Sequence, residues 1–325
     1  MKDPPQTPKY PHKPIRSLRA LEKALQTPLR KIVRIAQNAD ALYRKAKPII
    51  KQDGSIRQPY DAQPALKRIQ KRIRTQFLDR VHFPPYLTGS IKGRDARKNA
   101  AIHAGAKIVI CEDIQKFFPS TTAQRVFSVW CDFFGFSPDV AKLLTALTTK
   151  AGILPEGANT SSHLANLVFH NTEPLVHAKL AELGIAYSRY VDDISISSNS
   201  EIPPEIITRA IGWIYGMMFK YGYRPKRSKH EIHRRHHPML VTKHVINVKP
   251  GLPHSERQAI RAAIHQLEQV KGTEVCSHAH SKALNSTAGR VNRLAQYHPT
   301  EGKRLQEQIK ALRLVIRRDC RAIQT

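Results

Sequence analysis

From Leu18 to about Leu42, apolar positions at Leu18, Leu21, Leu25, Leu29, Ile32, Val33 and Leu42 stand amid Lys and Arg, a pattern that predicts basic amphipathic helices. KQDGSIRQP then breaks the period, and its Asp53-Gly54 turn chemistry predicts a hairpin. A further helix is expected in PALKRIQKRIRTQFLDRV, where Leu66, Ile69, Ile73, Phe77 and Val81 share one face. Lys67, Arg68, Lys71, Arg72 and Arg74 surround that face and read as a phosphate-facing surface rather than a merely solvated one. The run AKIVICEDI, residues 106–114, lacks helical spacing; short, apolar and ending in acids, it predicts a buried strand with Asp113 at its carboxyl end. Helices are expected after FFPSTT, in the second half of AGILPEGANTSSHLANLVF and over roughly residues 203–221. Between Tyr187 and Ile196, alternating apolar and small polar positions predict a strand pair with Asp192 and Asp193 near its turn. Strand, helix, strand pair, helix, strand is the order of an α+β protein with a ferredoxin-like sheet and helices on one face.

The last third changes character. SERQAIRAAIHQLEQV opens with Ser255 and Gln258 at capping-box spacing and aligns Ile260, Ile264, Leu267 and Val270 on one stripe. The final helix aligns Leu305, Ile309, Leu312 and Ile316 opposite Lys310, Arg313, Arg317 and Arg318. Residues 250–325 therefore read as a small helical domain with a basic exterior, while the proline-rich residues 1–14 read as a flexible tail.

Charge narrows the partners. Against 54 Lys and Arg stand 25 Asp and Glu, a formal net charge of +29 at pH 7, which points to a polyanion bound through its phosphates. An anionic membrane is the rival, but no apolar run reaches spanning length and MKDPPQTPKYPHKP has no signal-peptide core, so a cytoplasmic protein without membrane association is expected. Cys111, Cys131, Cys276 and Cys320 are scattered without a CxxC pair, which argues against structural zinc and a disulfide framework.

Adjacent Asp192 and Asp193 repel each other unless a cation or a solvated turn relieves them, and an ordinary turn explains the pair equally well by itself. Asp113 tips the reading. Three carboxylates at strand ends of one sheet can converge although distant in sequence, and two Mg2+ ions about 4 Å apart need such shared hard oxygen ligands.

With these residues assembled, the chain resembles reverse transcriptases, and among them the bacterial retron type, over about residues 30–250. YVDD at 190–193 resembles motif C; EDIQKFFPS resembles motif A, with Asp113 as metal ligand and Phe118 where the family excludes a ribose 2′-hydroxyl. LPEGANTSSHLANL resembles motif B, with Gly157 near the nucleotide and Glu156 where most relatives carry glutamine, a carboxylate that needs an Arg or Lys partner beside a triphosphate. Arg57 in GSIRQPYDAQPALKRIQ matches the arginine that grips the incoming triphosphate, and Lys229 in RPKRSKHEI matches the motif D lysine, with Lys226 close by. NAAIHAGA, residues 99–106, resembles the retron NAxxH element through Asn99, Ala100 and His103; the second retron signature, VTG, stands here as VTK with Lys243 in the glycine position.

The resemblance implies a right-hand RNA-directed DNA polymerase: fingers with the N-terminal helices in residues 15–106, a palm with inserted fingers elements in 107–249 and a helical thumb in 250–325. It implies catalysis by Asp113, Asp192, Asp193 and Lys229 with two Mg2+, dNTP binding by Arg57, Phe118, Glu156 and Gly157, and RNA contacts from Asn99, His103, Arg313 and Arg317. The implied template is a cognate structured noncoding RNA primed from an internal 2′-hydroxyl, giving branched RNA-linked single-stranded DNA in anti-phage defence with a separate effector protein. Another small bacterial reverse transcriptase, group II intron-like or defence-associated, is the near alternative; a catalytically silent RNA-binding scaffold of the same fold is the distant one. The histidines of KHEIHRRHHP mix with Arg and Lys and read as nucleic-acid-facing or solvated rather than metal-binding, and CSHAH, which lacks a second half, is not assigned as a metal site. Trp130 and Trp213 lie in apolar helical surroundings and read as core.

Overall fold

The computed structural model describes residues 6–50, 54–270 and 272–324. Leu21 and Leu25 on α1 (Leu18–Leu25) and Ile32 and Ile35 on α2 (Leu29–Gln37) are buried, as their spacing requires. The segment ahead of α1 is no free tail from residue 6 on. Lys9 pairs through its backbone with His82, and the Tyr10 ring stands edge-on to Phe134 at 4.8 Å. Proline content suggests disorder, but proline equally suits an extended strap held by its neighbours.

The strands β1 (Tyr43–Lys45), β2 (Ile49–Ile50), β3 (Ile56–Arg57) and β4 (Tyr60–Ala62) form two antiparallel ladders, β1 with β4 and β2 with β3. The hairpin expected at Asp53-Gly54 is therefore present, although Asp53 itself lies outside the described residues. Helix α3 (Pro64–Gln76) buries Leu66, Ile69 and Ile73. Part of its basic surround is committed within the protein: Arg72 donates to the carbonyls of Leu25 and Gln26 at 2.9 and 2.6 Å, and Lys67 binds Asp61 at 2.8 Å. Arg68 and Lys71 stay exposed.

After α4 (Ala96–Ile102) comes the central strand β5 (Ile108–Asp113). Helices α5 (Phe117–Ser120), α6 (Ala123–Ser128), α7 (Pro138–Thr148), α8 (Ser161–Leu167) and α9 (Glu173–Glu182) lead to the strand pair β6 (Ala186–Tyr190) and β7 (Asp193–Ser198). Helix α10 (Pro204–Lys220) and β8 (Glu231–Arg234) follow. The sheet order is β6-β7-β5-β8, antiparallel throughout. Its two faces follow the period of two: Ile108 and Ile110 enter the main core with Ile194 and Ile196, whereas Val109 and Cys111 point the other way. That second face is covered too, by Ala100 of α4 and by the hairpin β9 (Leu240–Val241) and β10 (His244–Val245), so the helices are not confined to one face. Thr242 and Lys243 form the hairpin's two-residue turn with φ of 45° and 65°, the doubly left-handed geometry that favours glycine at its second position. Here lies a physical reason for the glycine of VTG.

Helices α11 (His254–Gln269), α12 (His278–Tyr297) and α13 (Pro299–Gln324) enclose a separate core of Ile260, Ile264, Leu267, Leu284, Val291, Leu294, Leu305 and Ile309. The capping box does not form: α11 begins after Pro253, one residue before Ser255, without a side-chain cap. At Gly302 a methyl group would fall 2.3 Å from Ala295 Cα, so α12 and α13 meet backbone to backbone. Cys276 is disulfide-bonded, where the cysteine spacing argues against a disulfide framework; a spacing rule sees neighbours in the chain, not partners in space. No helix among the described residues is long and apolar enough to cross a membrane.

Candidate active site

Strand pairing sets the acids. Asp113 ends β5 directly opposite Asp193 at the start of β7, and the Ile114 amide donates to the Asp192 carbonyl at 3.1 Å. Asp192 occupies the turn between β6 and β7 behind Val191, whose φ of 61° is rare for a β-branched residue. Such a conformation persists only where its surroundings enforce it. They do so closely: a methyl group on Gly89 would fall 2.5 Å from Val191 Cγ2.

Beneath the turn lies a pair that the sequence reading missed. Arg189, fully buried, donates from Nε and Nη2 to the two oxygens of Glu173 at 2.6 and 2.7 Å. Its remaining donors reach the Val191 carbonyl at 2.9 Å and the Asn166 carbonyl at 3.0 Å, and Tyr187 donates to the same Glu173 at 2.7 Å. Burial by itself would lower the Arg189 pKa, but the Glu173 carboxylate more than reverses this and raises it. The guanidinium therefore stays charged and clamps the turn by its carbonyl. A signal was present: Arg189 shares its strand face with buried Tyr187, where the alternation calls for an inward residue.

The carboxylates themselves are held under electrostatic load. Burial first, then Asp192 and Asp113, pushes the Asp193 carboxyl up to about 7; burial and Asp113 likewise raise Asp192, against Lys229 and Arg57. Lys229 places its ammonium on Asp113 Oδ2, and the resulting bond and charge outweigh burial and raise the lysine's pKa. Lys226 approaches through its backbone, its amide donating to the Asp113 carbonyl at 2.7 Å. Among the described residues no three His, Cys, Asp or Glu side chains are already gathered around a metal position. The donor set nonetheless suits a hard cation: crowded, partly desolvated carboxylates with a lysine cation resting on one of them.

Across from the acids, Arg57 Nε contacts Glu156 Oε2 at 2.5 Å, so this carboxylate has an arginine partner. The Tyr60 amide donates to the Glu156 carbonyl at 2.8 Å. Gly157, at φ 97°, lies so near β4 that a methyl group would fall 2.8 Å from the Tyr60 carbonyl oxygen. Phe118 is half-buried on α5, its ring 6.0 Å from that of Phe117.

The family model described as Reverse transcriptase (RNA-dependent DNA polymerase) matches residues 49–250, which carry all of these groups. The Retron Se72 reverse transcriptase of Salmonella heidelberg is 30% identical over 293 residues, covering 89% of this chain and 77% of its own length. The chain belongs to the retron-type reverse transcriptases. The Retron Ec48 reverse transcriptase of Escherichia coli is similar at 31% over 318 residues, with 92% of this chain and 77% of the relative covered, and the Retron Ec86 reverse transcriptase of Escherichia coli at 28%, with 68% of each. The protein is thus an RNA-directed DNA polymerase, of a family that generally uses divalent metal ions and works with a noncoding RNA template and dNTPs.

Within this reverse transcriptase, two residues expected to touch RNA do not face solvent. Asn99 is fully buried and accepts from the Thr88 hydroxyl at 2.6 Å; His103, 1% exposed, has Nδ1 and Nε2 each 2.7 Å from a serine hydroxyl, Ser197 and Ser188. Burial pushes His103 down to about 3, so the ring is neutral and pins α4 across β6 and β7. Asn99 and His103 of the NAxxH element thus lie in the interior of this chain, where the resemblance implies RNA contacts. Arg313 and Arg317 do lie exposed on α13, the former donating to Asn285 at 3.2 Å. Of the KHEIHRRHHP histidines, His230 contacts Glu112 at 2.6 Å and His233 contacts Glu231 at 2.9 Å. Trp130 is core, while Trp213 is only partly buried and carries Lys179 and Arg209 over its ring.

Proposed function

We propose that this reverse transcriptase copies a cognate structured noncoding RNA from an internal 2′-hydroxyl into branched RNA-linked single-stranded DNA, in the cytoplasm and in the service of anti-phage defence with a separate effector protein. The observation that carries the catalytic reading is the opposition of Asp113 and Asp193 across β5 and β7 with Asp192 in the turn between β6 and β7. In this reading the four-stranded sheet is a ferredoxin-like palm, the β1–β4 ladders belong to the fingers and α11–α13 are the thumb of a right-hand polymerase. Asp113, Asp192 and Asp193 would hold two Mg2+, which when bound neutralise the triphosphate and activate the primer hydroxyl. The chain's own groups orient and stabilise: Arg57 grips the triphosphate, Gly157 lets the motif B backbone approach the nucleotide, Phe118 blocks a ribose 2′-hydroxyl and Lys229 keeps a proton available to departing pyrophosphate. Arg313 and Arg317 on the exposed face of α13 would meet RNA phosphates, whose recognition is by shape and backbone. Asn99 and His103 drop out of that surface.

The test is to purify the protein with its bound nucleic acid and resolve that material on a denaturing gel before and after RNase, DNase and debranching treatment. A discrete DNA whose mobility changes on RNase treatment and debranching, and which is absent for Asp192→Asn, is the expected result. Heterogeneous unbranched DNA would move the protein to another class of bacterial reverse transcriptase.

A further inference from the structure

Arg57 and Glu156 are 99 residues apart in the chain and come from different elements, the end of β3 and the motif B loop. Their contact is single and partly exposed, with 43% of the Arg57 side chain and 17% of that of Glu156 accessible. The backbone docks the motif B loop independently on β4, just beyond Arg57 in the chain, through the Tyr60 amide on the Glu156 carbonyl and the close approach of Gly157 to the Tyr60 oxygen. The carboxylate is therefore not needed to dock the loop on the strand. What it does is place an anion on a cation whose charge already reaches Asp192 across the site.

From this geometry we infer that Glu156 is an internal competitor for the triphosphate: it occupies Arg57 in the empty enzyme, and nucleotide binding is an exchange of one anion for another on the same guanidinium. The inference rests on the polymerase reading of Arg57 and says what sets nucleotide affinity within it. A carboxylate carries one charge and a triphosphate several, so the exchange runs toward nucleotide at high concentration, yet each binding event first breaks a charge-assisted contact. Glu156 thereby raises the dNTP concentration the enzyme needs without entering the chemical step. Glutamine at the same place keeps the shape and the backbone contacts and removes the competing charge.

The experiment is steady-state incorporation on a primed RNA template with dNTP concentration varied, together with dNTP titration of the complex carrying a chain-terminated primer, for wild type, Glu156→Gln, Arg57→Gln and the double variant. Glu156→Gln is expected to lower KM and Kd for dNTP about fivefold with kcat unchanged. In the Arg57→Gln background the same change should have no effect, because there is no cation left to compete for. Incorporation by wild type with KM unchanged or raised in Glu156→Gln overturns the competition and leaves the polymerase reading standing, as does an equal gain in both backgrounds. No incorporation by any of the proteins overturns the polymerase reading and the competition with it.

Discussion

Two arginine–glutamate pairs flank the candidate catalytic acids, and they behave as opposites. Arg189–Glu173 is sealed, with 0% and 2% of the side chains exposed, bidentate, and tied to two further carbonyls. Arg57–Glu156 is a single contact at the mouth of the site. A buried pair is poor at adding stability but severe when broken, because the surviving charge has neither water nor a partner. A half-exposed pair is weak, and water or another anion can take over either end. Identical chemistry thus gives a fixed strut in one place and an exchangeable contact in the other; solvent makes the difference.

The largest effect should come from breaking the strut. Arg189→Met leaves Glu173 buried and uncompensated, and urea unfolding should register a loss of about 3–5 kcal/mol. Combining it with Glu173→Met should restore much of the stability, yet incorporation should stay low because the Val191 carbonyl has lost its donor. Recovery of activity alongside stability would mean that the pair supports the fold alone.

A smaller effect tests the acids between the two pairs. The Asp193 carboxyl sits at about 7, above its ordinary 3.8, so the folded protein binds more protons than the unfolded chain between those values and loses stability as pH rises through that window. Asp193→Asn, without divalent ions, should therefore be more stable than wild type at pH 8 by about 1–2 kcal/mol, the repulsion being shared among coupled carboxylates. The gain should shrink as pH falls from about 7 toward 4, while incorporation is abolished at every pH. A constant gain across the range would sink the electrostatic account.

Lys243→Gly, remote from both pairs, relaxes the left-handed second position of the β9–β10 turn and should change thermal stability by at most about 1 kcal/mol in the stabilising direction. The smallest shift belongs to the mouth: Glu156→Gln should leave unfolding free energy within about 0.5 kcal/mol of wild type. A large destabilisation there would make the two pairs alike after all.

Much of the architecture was legible because it rests on period and on strand ends. The alternation over Tyr187–Ile196 yields β6 and β7, and the apolar run ending in acids yields β5 with Asp113 at its tip. Spacing alone does not report which polar residues are interior. The resemblance directs His103 and Asn99 toward RNA, whereas the hydroxyls of Ser188, Ser197 and Thr88, invisible to spacing, make the interior acceptable to both side chains. Arg189 stands at an inward place in the strand alternation, but nothing in the spacing shows that Glu173 is there to pair with it. Glu156 was legible as an anomaly; only its partner in space resolves it.

One core runs from Leu21 to Tyr223 through the N-terminal helices and the sheet alike, while α11–α13 keep their own. For anyone building hybrids between relatives, this dictates where the chain can be cut. A junction in the Val248–Pro253 connection exchanges the three C-terminal helices with little apolar surface to rematch, provided the recipient retains partners for the Tyr297 hydroxyl, which lies 2.9 Å from His244. A junction at residue 106, where the fingers were expected to end, would cut through packing that both halves share.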